Sequence, residues 1–251
     1  MIELKSKREI QLIREAGEIL KKVFLVVKPM IAEGVTTEAL DHAAEKVILE
    51  NGGKPAFKGY RGFPKTACIS INEAVVHGIP GARRLKDGDI VSFDIGVKWD
   101  GFYADAARTW QVGAIDPKKQ ALINIAKDSL DAMLAAYQPS WRIGDISETI
   151  QQYVEERGFQ LVRDYAGHGI GRQLHEDPQV PNYGKSGRGA RIEPGLVIAI
   201  EPMVTEGHYA VETLEDGWTV VTKDRKNASH YEDTVAFIED GFINLTNNEV
   251  S

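Results

Sequence analysis

Two pairs of amphipathic helices, each a long helix followed by a shorter one and then by strand-rich sequence, divide this chain into comparable halves. Ser6-Lys7-Arg8-Glu9 has the pattern of a capping box, and Ile10, Ile13, Ala16, Leu20 and Val23 recur at helical spacing. Together they predict a helix from Lys7 to about Val27. A second helix is expected over about Thr37 to Asn51, stopped by Gly52-Gly53, where a left-handed backbone carries no Cβ penalty. Asp116-Pro117 supplies cap and first-turn chemistry for a third, ending near Tyr137. Asp145-Ile146-Ser147-Glu148 opens a fourth, which ends at Gly158. The pattern implies an internal duplication, although the halves share little residue-level similarity. With no linker or low-complexity tract between them, halves of roughly 1–114 and 115–251 are expected to form a single α+β domain.

Between the helices lie candidate ligand residues. Ile90 to Val97 alternates, placing Val91, Phe93, Ile95 and Val97 on one face and Ser92 and Asp94 on the other. Phe102 to Val112 is strand-like, and Asp100-Gly101 between the two runs is a hairpin turn signal. For a two- or four-residue loop without a bulge, Asp105 shares the face of Asp94, within reach of a common cation. An aspartate pair on a hairpin can equally be a solvated polar face. Gly167-His168-Gly169-Ile170-Gly171 frames a histidine with small residues that let the backbone approach a ligand, though such a stretch can also be a simple turn.

Glu201 ends the apolar run from Gly195 and reads as a carboxylate at the end of a buried strand, a costly position unless paired or metal-bound. Glu232 follows a polar turn and is expected on the second arm of a hairpin begun by Trp218-Thr219-Val220-Val221. His77, just before a Gly and Pro that mark a loop, and His175, soon after the Gly-rich turn, are further candidates. His208 and His230 read as surface or satisfied core residues. If Asp94, Asp105, His168, Glu201 and Glu232 converge, four carboxylates and one imidazole suit a pair of divalent ions such as Mn, Fe, Co or Zn. A lone catalytic zinc would more usually be offered two or three histidines.

Composition narrows the function classes. The formal charge of −7 gives no footprint for nonspecific nucleic-acid binding, and the short basic cluster of Arg83, Arg84 and Lys86 reads as a solvated loop. The single cysteine, Cys68, cannot form an internal disulfide, which suits a reducing compartment. With neither a signal-peptide pattern nor an apolar run of membrane-spanning length, the chain is expected to be soluble and cytoplasmic.

As a set, His77-Gly78-Ile79-Pro80, the Asp94 and Asp105 pair, Gly167-His168-Gly169-Ile170-Gly171, His175-Glu176-Asp177-Pro178, Ile200-Glu201-Pro202 and Tyr231-Glu232 resemble the bacterial type I methionine aminopeptidases over nearly the whole chain. The resemblance implies the pita-bread fold, with pseudo-symmetric halves around a curved antiparallel sheet covered by helices. It implies two divalent ions, drawn from Co, Mn, Fe, Zn or Ni. Asp94 would hold one ion, Asp105 and Glu232 would bridge both, and His168 with Glu201 would complete the other site. The reaction would be attack of a metal-activated hydroxide on the peptide carbonyl, with Glu201 as proton shuttle. His175 would contact the substrate carbonyl or oxyanion, and His77 the amide nitrogen or leaving group.

The family's methionine pocket maps onto Phe57, Tyr60, Phe63, Cys68, Leu174 and Trp218, a soft lining suited to a thioether. The chain departs from common family residues at Phe57 (often Cys), Phe63 (Tyr), Leu174 (Phe) and Asp233 (His). The implied substrate is the initiator methionine of nascent chains with a small second residue, after deformylation where formyl groups occur. Transient ribosome contact and a monomeric state are expected, without membrane or stable nucleic-acid binding. The rival readings are an Xaa-Pro peptidase of the same fold, which usually carries an additional N-terminal domain, and a noncatalytic peptide-binding relative, which would be expected to have lost ligands.

Overall fold

The computed structural model describes residues 2–247. Helix α1 (Lys7–Val27) opens with the expected capping box: the Glu9 carboxylate accepts the Ser6 N–H at 2.7 Å, and the Ser6 hydroxyl accepts the Glu9 N–H at 3.3 Å. Helix α2 (Thr37–Glu50) stops just before Gly52, which takes φ +76. In α3 (Pro117–Ala136) the Asp116 carboxylate accepts the N–H groups of Lys118 and Lys119. Helix α4 spans Ile143–Glu155, starting earlier than the sequence pattern suggests. Asp145 is its third residue and accepts the Arg142 N–H at 2.7 Å. An acidic residue is favourable both as a cap and within the first turn, so sequence alone does not separate the two positions.

Nine strands form an antiparallel sheet. Its main path runs Lys54–Pro55, Ile90–Trp99, Phe102–Gln111, Glu232–Ile238, Val197–Ile200, Ala166–Gly169 and Glu176–Pro181, with Ala67–Ile71 beside Ile90–Trp99 and Gly241–Asn244 beside Glu232–Ile238. Trp99 pairs with Phe102, so Asp100-Gly101 is a two-residue loop, and its φ angles of +43 and +86 are those a type I′ turn requires. The strand containing Glu232 does not pair with the segment after Trp218. Val220–Thr222 instead joins Val211–Thr213 and Ala74–Val76 in a small separate sheet. Between them Ala228–His230 pairs with Met203–Thr205, and the chain then crosses into the large sheet.

Both helix pairs cover the same face of the large sheet. Phe93, Ile95, Val97, Ala104 and Ala106 pack in a core with α1 and α2, whereas Ile198, Ile200, Val235 and Phe237 pack in a second core with α3 and α4. The register confirms that these residues share a face, because Ala106 opposes both Ile95 and Asp233, and Val235 opposes Ile198. The opposite face is left for the acidic residues.

At the junction of the two cores, Arg108 is buried and holds Asp233 at 2.6 Å, the Glu232 carbonyl at 2.6 Å and the Thr246 carbonyl at 3.1 Å. Its guanidinium also lies 4.3 Å from the centre of the Tyr231 ring. Asp233 is completed by the Thr246 hydroxyl and the Asn244 amide. The departure at Asp233 is thus absorbed by a buried ion pair that fixes the strand bearing Glu232. Removing one partner leaves the other charge buried without compensation. Asp233→Ala should lower unfolding free energy by about 3–5 kcal/mol in urea titration of the metal-free protein. A loss below about 1 kcal/mol, the level of an exposed pair, would contradict this role.

Candidate active site

The strand register brings the sequence-predicted ligands to one face. Asp94 and Glu232 both oppose Ala107, one from each side, so they flank a small residue on the central strand. Asp105, two residues before Ala107, lies on the same face. Asp233 pairs with Ile200, and continuing that register by one residue sets Glu201 opposite Glu232. His168 opposes Ala199, which lies two residues before Glu201 and so faces the same way. Five side chains from five strands or strand ends therefore converge over a floor of alanines.

His168 Nε2 lies 3.9 Å from Asp105 Oδ2 and 3.8 Å from Glu201 Oε1, and ligand atoms of Asp105, His168 and Glu232 lie within 4.8 Å of one another. These separations exceed hydrogen-bond length but suit atoms sharing a cation at metal–ligand distances of about 2.0–2.2 Å. His168 Nδ1 lies 2.9 Å from the Gly169 carbonyl, which places the ring proton on Nδ1 and leaves the Nε2 lone pair facing the carboxylates. Asp94 Oδ1 and Asp105 Oδ1 are buried without hydrogen-bond partners.

Electrostatics gives the same reading. Burial pushes Asp94, Glu201 and Glu232 well above the ordinary carboxylate range, with repulsion from neighbouring carboxylates adding to it. Asp105 is pushed up to about 7, again mainly by burial. His168 is pushed down to about 4 by desolvation, so its imidazole is neutral and available as a ligand at physiological pH. A buried cluster of carboxyl groups with orphaned oxygens and a neutral, oriented imidazole fits divalent metal.

The cluster sits in a cavity of about 500 Å³. Phe57, Tyr60, Phe63, Cys68, His77, Leu174, His175 and Trp218 all line it, as do Arg163, Tyr165, Gln179, Tyr183 and Met203, which the sequence did not single out. Phe57 fits because its neighbour is glycine: a Cβ at Gly96 would lie 2.8 Å from the Phe57 ring. Phe63 meets Trp218 edge-to-face at 5.2 Å, while Leu174 is buried in the first core.

His77 takes φ +60, a left-handed conformation uncommon outside glycine, and Gly78 follows because a Cβ there would lie 2.3 Å from the Ile69 carbonyl oxygen. The His77 ring stands edge-on to Tyr165 and Trp218. His175, more exposed, stacks on Tyr60 at 5.2 Å and places Nδ1 2.9 Å from its hydroxyl. Desolvation lowers the pKa of both histidines, reinforced at His175 by neighbouring His168, Arg61 and His77. The His175 loop is fastened by a buried pair, Lys5 to Glu176 at 2.6 Å, and Glu176 also accepts the Gln173 N–H.

One residue that the sequence leaves among surface or satisfied core histidines belongs here. His230 Nε2 lies 3.6 Å from Glu201 Oε2 and 3.9 Å from Glu232 Oε2, and neither ring nitrogen has a hydrogen-bond partner. Its place two residues before Glu232 was the available signal, since alternate residues in extended backbone share a face. By contrast His208 is exposed, stacked on Tyr209 away from the cluster.

Comparison with known proteins agrees with this architecture. The profile of metallopeptidase family M24 matches residues 11–239. A methionine aminopeptidase of Clostridium perfringens is 52% identical over 96% of this chain and 97% of its own. The crystal structure of methionine aminopeptidase from Thermotoga maritima superposes with a TM-score of 0.96 at 42% identity, covering 98% of this chain and 99% of that one. A prolidase from Pyrococcus furiosus shares the fold more distantly, with a TM-score of 0.79 and 26% identity over 98% of this chain and 66% of that chain. The curved sheet with helices on one face and a polar cluster on the other defines a pita-bread protein. The chain belongs to metallopeptidase family M24.

The raised pKa of Asp105 makes a prediction about the metal-free protein. Its native form holds a proton that the unfolded chain has already lost, so this group's contribution to stability falls as pH rises from about 4 through about 7. In chelator, the melting temperature should fall as pH is raised from about 5.5 to about 8, more steeply for the wild type than for Asp105→Asn. Mn or Co should restore it at the higher pH. Equal slopes for the two proteins would contradict the shift.

Proposed function

We propose that this chain is a metal-dependent methionine aminopeptidase that removes the N-terminal methionine of nascent polypeptides whose second residue is small. The observation that carries the reading is the junction of two surfaces in one cavity: an aromatic and sulfur-bearing lining beside a buried carboxylate–imidazole cluster. Phe57, Phe63, Cys68, Leu174 and Trp218 offer polarizable contacts suited to an unbranched thioether. The cavity has the volume of a small-ligand site, which suits the end of a chain better than its middle.

In this reading Asp94, Asp105, His168, Glu201 and Glu232 would hold two divalent ions. Co, Mn, Fe, Zn and Ni are all compatible with this donor set. Bound ions would supply Lewis-acid polarisation of the scissile carbonyl and hydroxide at neutral pH. Glu201 takes the proton of the nucleophile and delivers it to the leaving amine. His175, whose Nδ1 lies 2.9 Å from the Tyr60 hydroxyl, gives a hydrogen bond from Nε2–H to the substrate oxygen as negative charge develops there. His77, held at the cavity wall by its left-handed backbone, contacts the amide nitrogen or the leaving group.

We infer a cytoplasmic monomer that visits the ribosome transiently, where such a substrate emerges. Among the described residues no helix is long and apolar enough to cross a membrane. The test is hydrolysis of Met-Gly-X and X-Pro peptides by metal-stripped protein resupplied anaerobically with Mn, Co or Fe. Metal-restored, chelator-blocked release of free methionine supports the reading, whereas cleavage at proline bonds moves it to the prolidase branch. Silence on every substrate and metal favours a peptide-binding protein.

Two substitutions test the assigned roles on the Met-Gly-X peptide. Glu201→Gln should lower kcat by about 100-fold or more while the protein remains folded by circular dichroism, and near-normal turnover would remove Glu201 from the proton path. Tyr60→Phe should lower kcat about tenfold, the equivalent of one hydrogen bond of about 1.4 kcal/mol. An unchanged kcat would show that His175 is oriented by other contacts.

A further inference from the structure

We propose that His230 is a positioning residue, whose Nε2–H holds the outer oxygen of Glu201 and so fixes the carboxylate assigned above as the proton shuttle. The two oxygens of Glu201 face different imidazoles. Oε1 lies 3.8 Å from His168 Nε2, on the side of the other candidate ligands, whereas Oε2 lies 3.6 Å from His230 Nε2. A carboxylate that ligates through one oxygen while moving a proton must not swing into a chelate with both. A donor on Oε2 supplies that restraint, and metal-ligating carboxylates are commonly hydrogen-bonded in this way.

The surroundings of His230 select this role. Its ring is buried and does not line the cavity, so it sits behind Glu201 and Glu232 and makes no substrate contact. Both ring nitrogens lack partners, which is uncommon for a buried imidazole. The nearest carboxylate oxygens are those of Glu201 and, at 3.9 Å, Glu232. A shift of a few tenths of an ångström by the Glu201 side chain closes the shorter gap to hydrogen-bond length.

The backbone of His230 is anchored to the strands that carry the aspartates. Its N–H donates to Thr109 Oγ1 at 3.1 Å and Ser92 Oγ at 3.3 Å, and its carbonyl accepts from Thr109 Oγ1 at 2.8 Å. Ser92 and Thr109 are themselves linked at 2.8 Å. The donor is therefore tied to the same strands as Asp94 and Asp105, and any motion of Glu201 is referred to them.

This inference rests on the proposed role of Glu201, and its test separates the two. His230→Leu, His230→Gln and His230→Asn would be loaded with Co and compared by visible absorption, metal-binding calorimetry and peptide hydrolysis. Glutamine can present an N–H where Nε2 stands, while asparagine is too short and leucine has none. Leu and Asn should weaken metal affinity or kcat by about 10- to 100-fold and shift the Co bands. KM should change less than twofold, and Gln should restore the wild-type spectrum and most of kcat.

In a Glu201→Gln background the leucine change should add no further spectral shift, because the interaction is already gone. A wild-type spectrum and kcat in both His230→Leu and His230→Asn would overturn the proposal, as would equal losses in all three variants. If the wild type hydrolyses no peptide, the spectral comparison still decides the His230–Glu201 contact on its own. Should the leucine variant fail to fold, the contrast between Asn and Gln carries the same test.

Discussion

Like charges in a dry site repel, and here Asp94, Asp105, Glu201 and Glu232 are gathered on one face of a sheet whose other face is sealed by helices. Without a cation the repulsion is relieved by protons held on the carboxylates, and strand pairing and packing keep the side chains gathered. Backbone contacts of Asp105 and Glu232 serve that end. Thr234 exchanges hydrogen bonds with both backbone groups of Asp105, and Arg108 grips the Glu232 carbonyl while its charge is met by Asp233. Asp105 and Glu232 are thus fastened through their backbones, which leaves their side chains free to answer to an ion.

The sheet also makes the convergence economical. Residues from remote parts of the chain meet because antiparallel pairing keeps parity across every strand. Ala107 and Ala199 stand at the intervening positions, and a bulkier side chain at either would occupy the space the ion needs. The glycines around His168 serve the same geometry, since a Cβ at Gly167 or Gly169 would meet backbone oxygen at 2.4 or 2.1 Å. The metal site is in this sense a property of strand register and small residues as much as of the ligands.

How much of this could be read from the chain depends on the range of the interaction. The capping box at Ser6 and the two-residue turn at Asp100-Gly101 are local, so the helix start and the parity linking Asp94 with Asp105 follow from neighbours in sequence. The start of α4 was less legible, because Asp145 suits two adjacent roles equally. The partner of the Glu232 strand was misread because strand sequence marks a pleat and not a neighbour. Three β-rich segments after Trp218, Val220–Thr222, Ala228–His230 and Glu232–Ile238, go to three different sheets, and only the tertiary structure says which. His230 was missed for a related reason: an isolated histidine looks like core until the carboxylates of another strand are placed beside it. The pocket departure at Phe57 is intelligible only with Gly96, a neighbour across strands.

Burial sets the protonation of the whole site in one stroke. The same desolvation that raises the carboxylates lowers His77, His168, His175 and His230, so both families are driven toward their neutral forms. For the imidazoles this is useful at once, because neutral rings can ligate, donate and accept without adding positive charge near a cation. For the carboxylates it is useful only conditionally. They become anionic when an ion replaces the lost water, and the protons they carried are released on binding. A site built this way couples its charge to its cargo: without metal it relieves repulsion by holding protons, and a bound cation would take the place of those protons among the carboxylates.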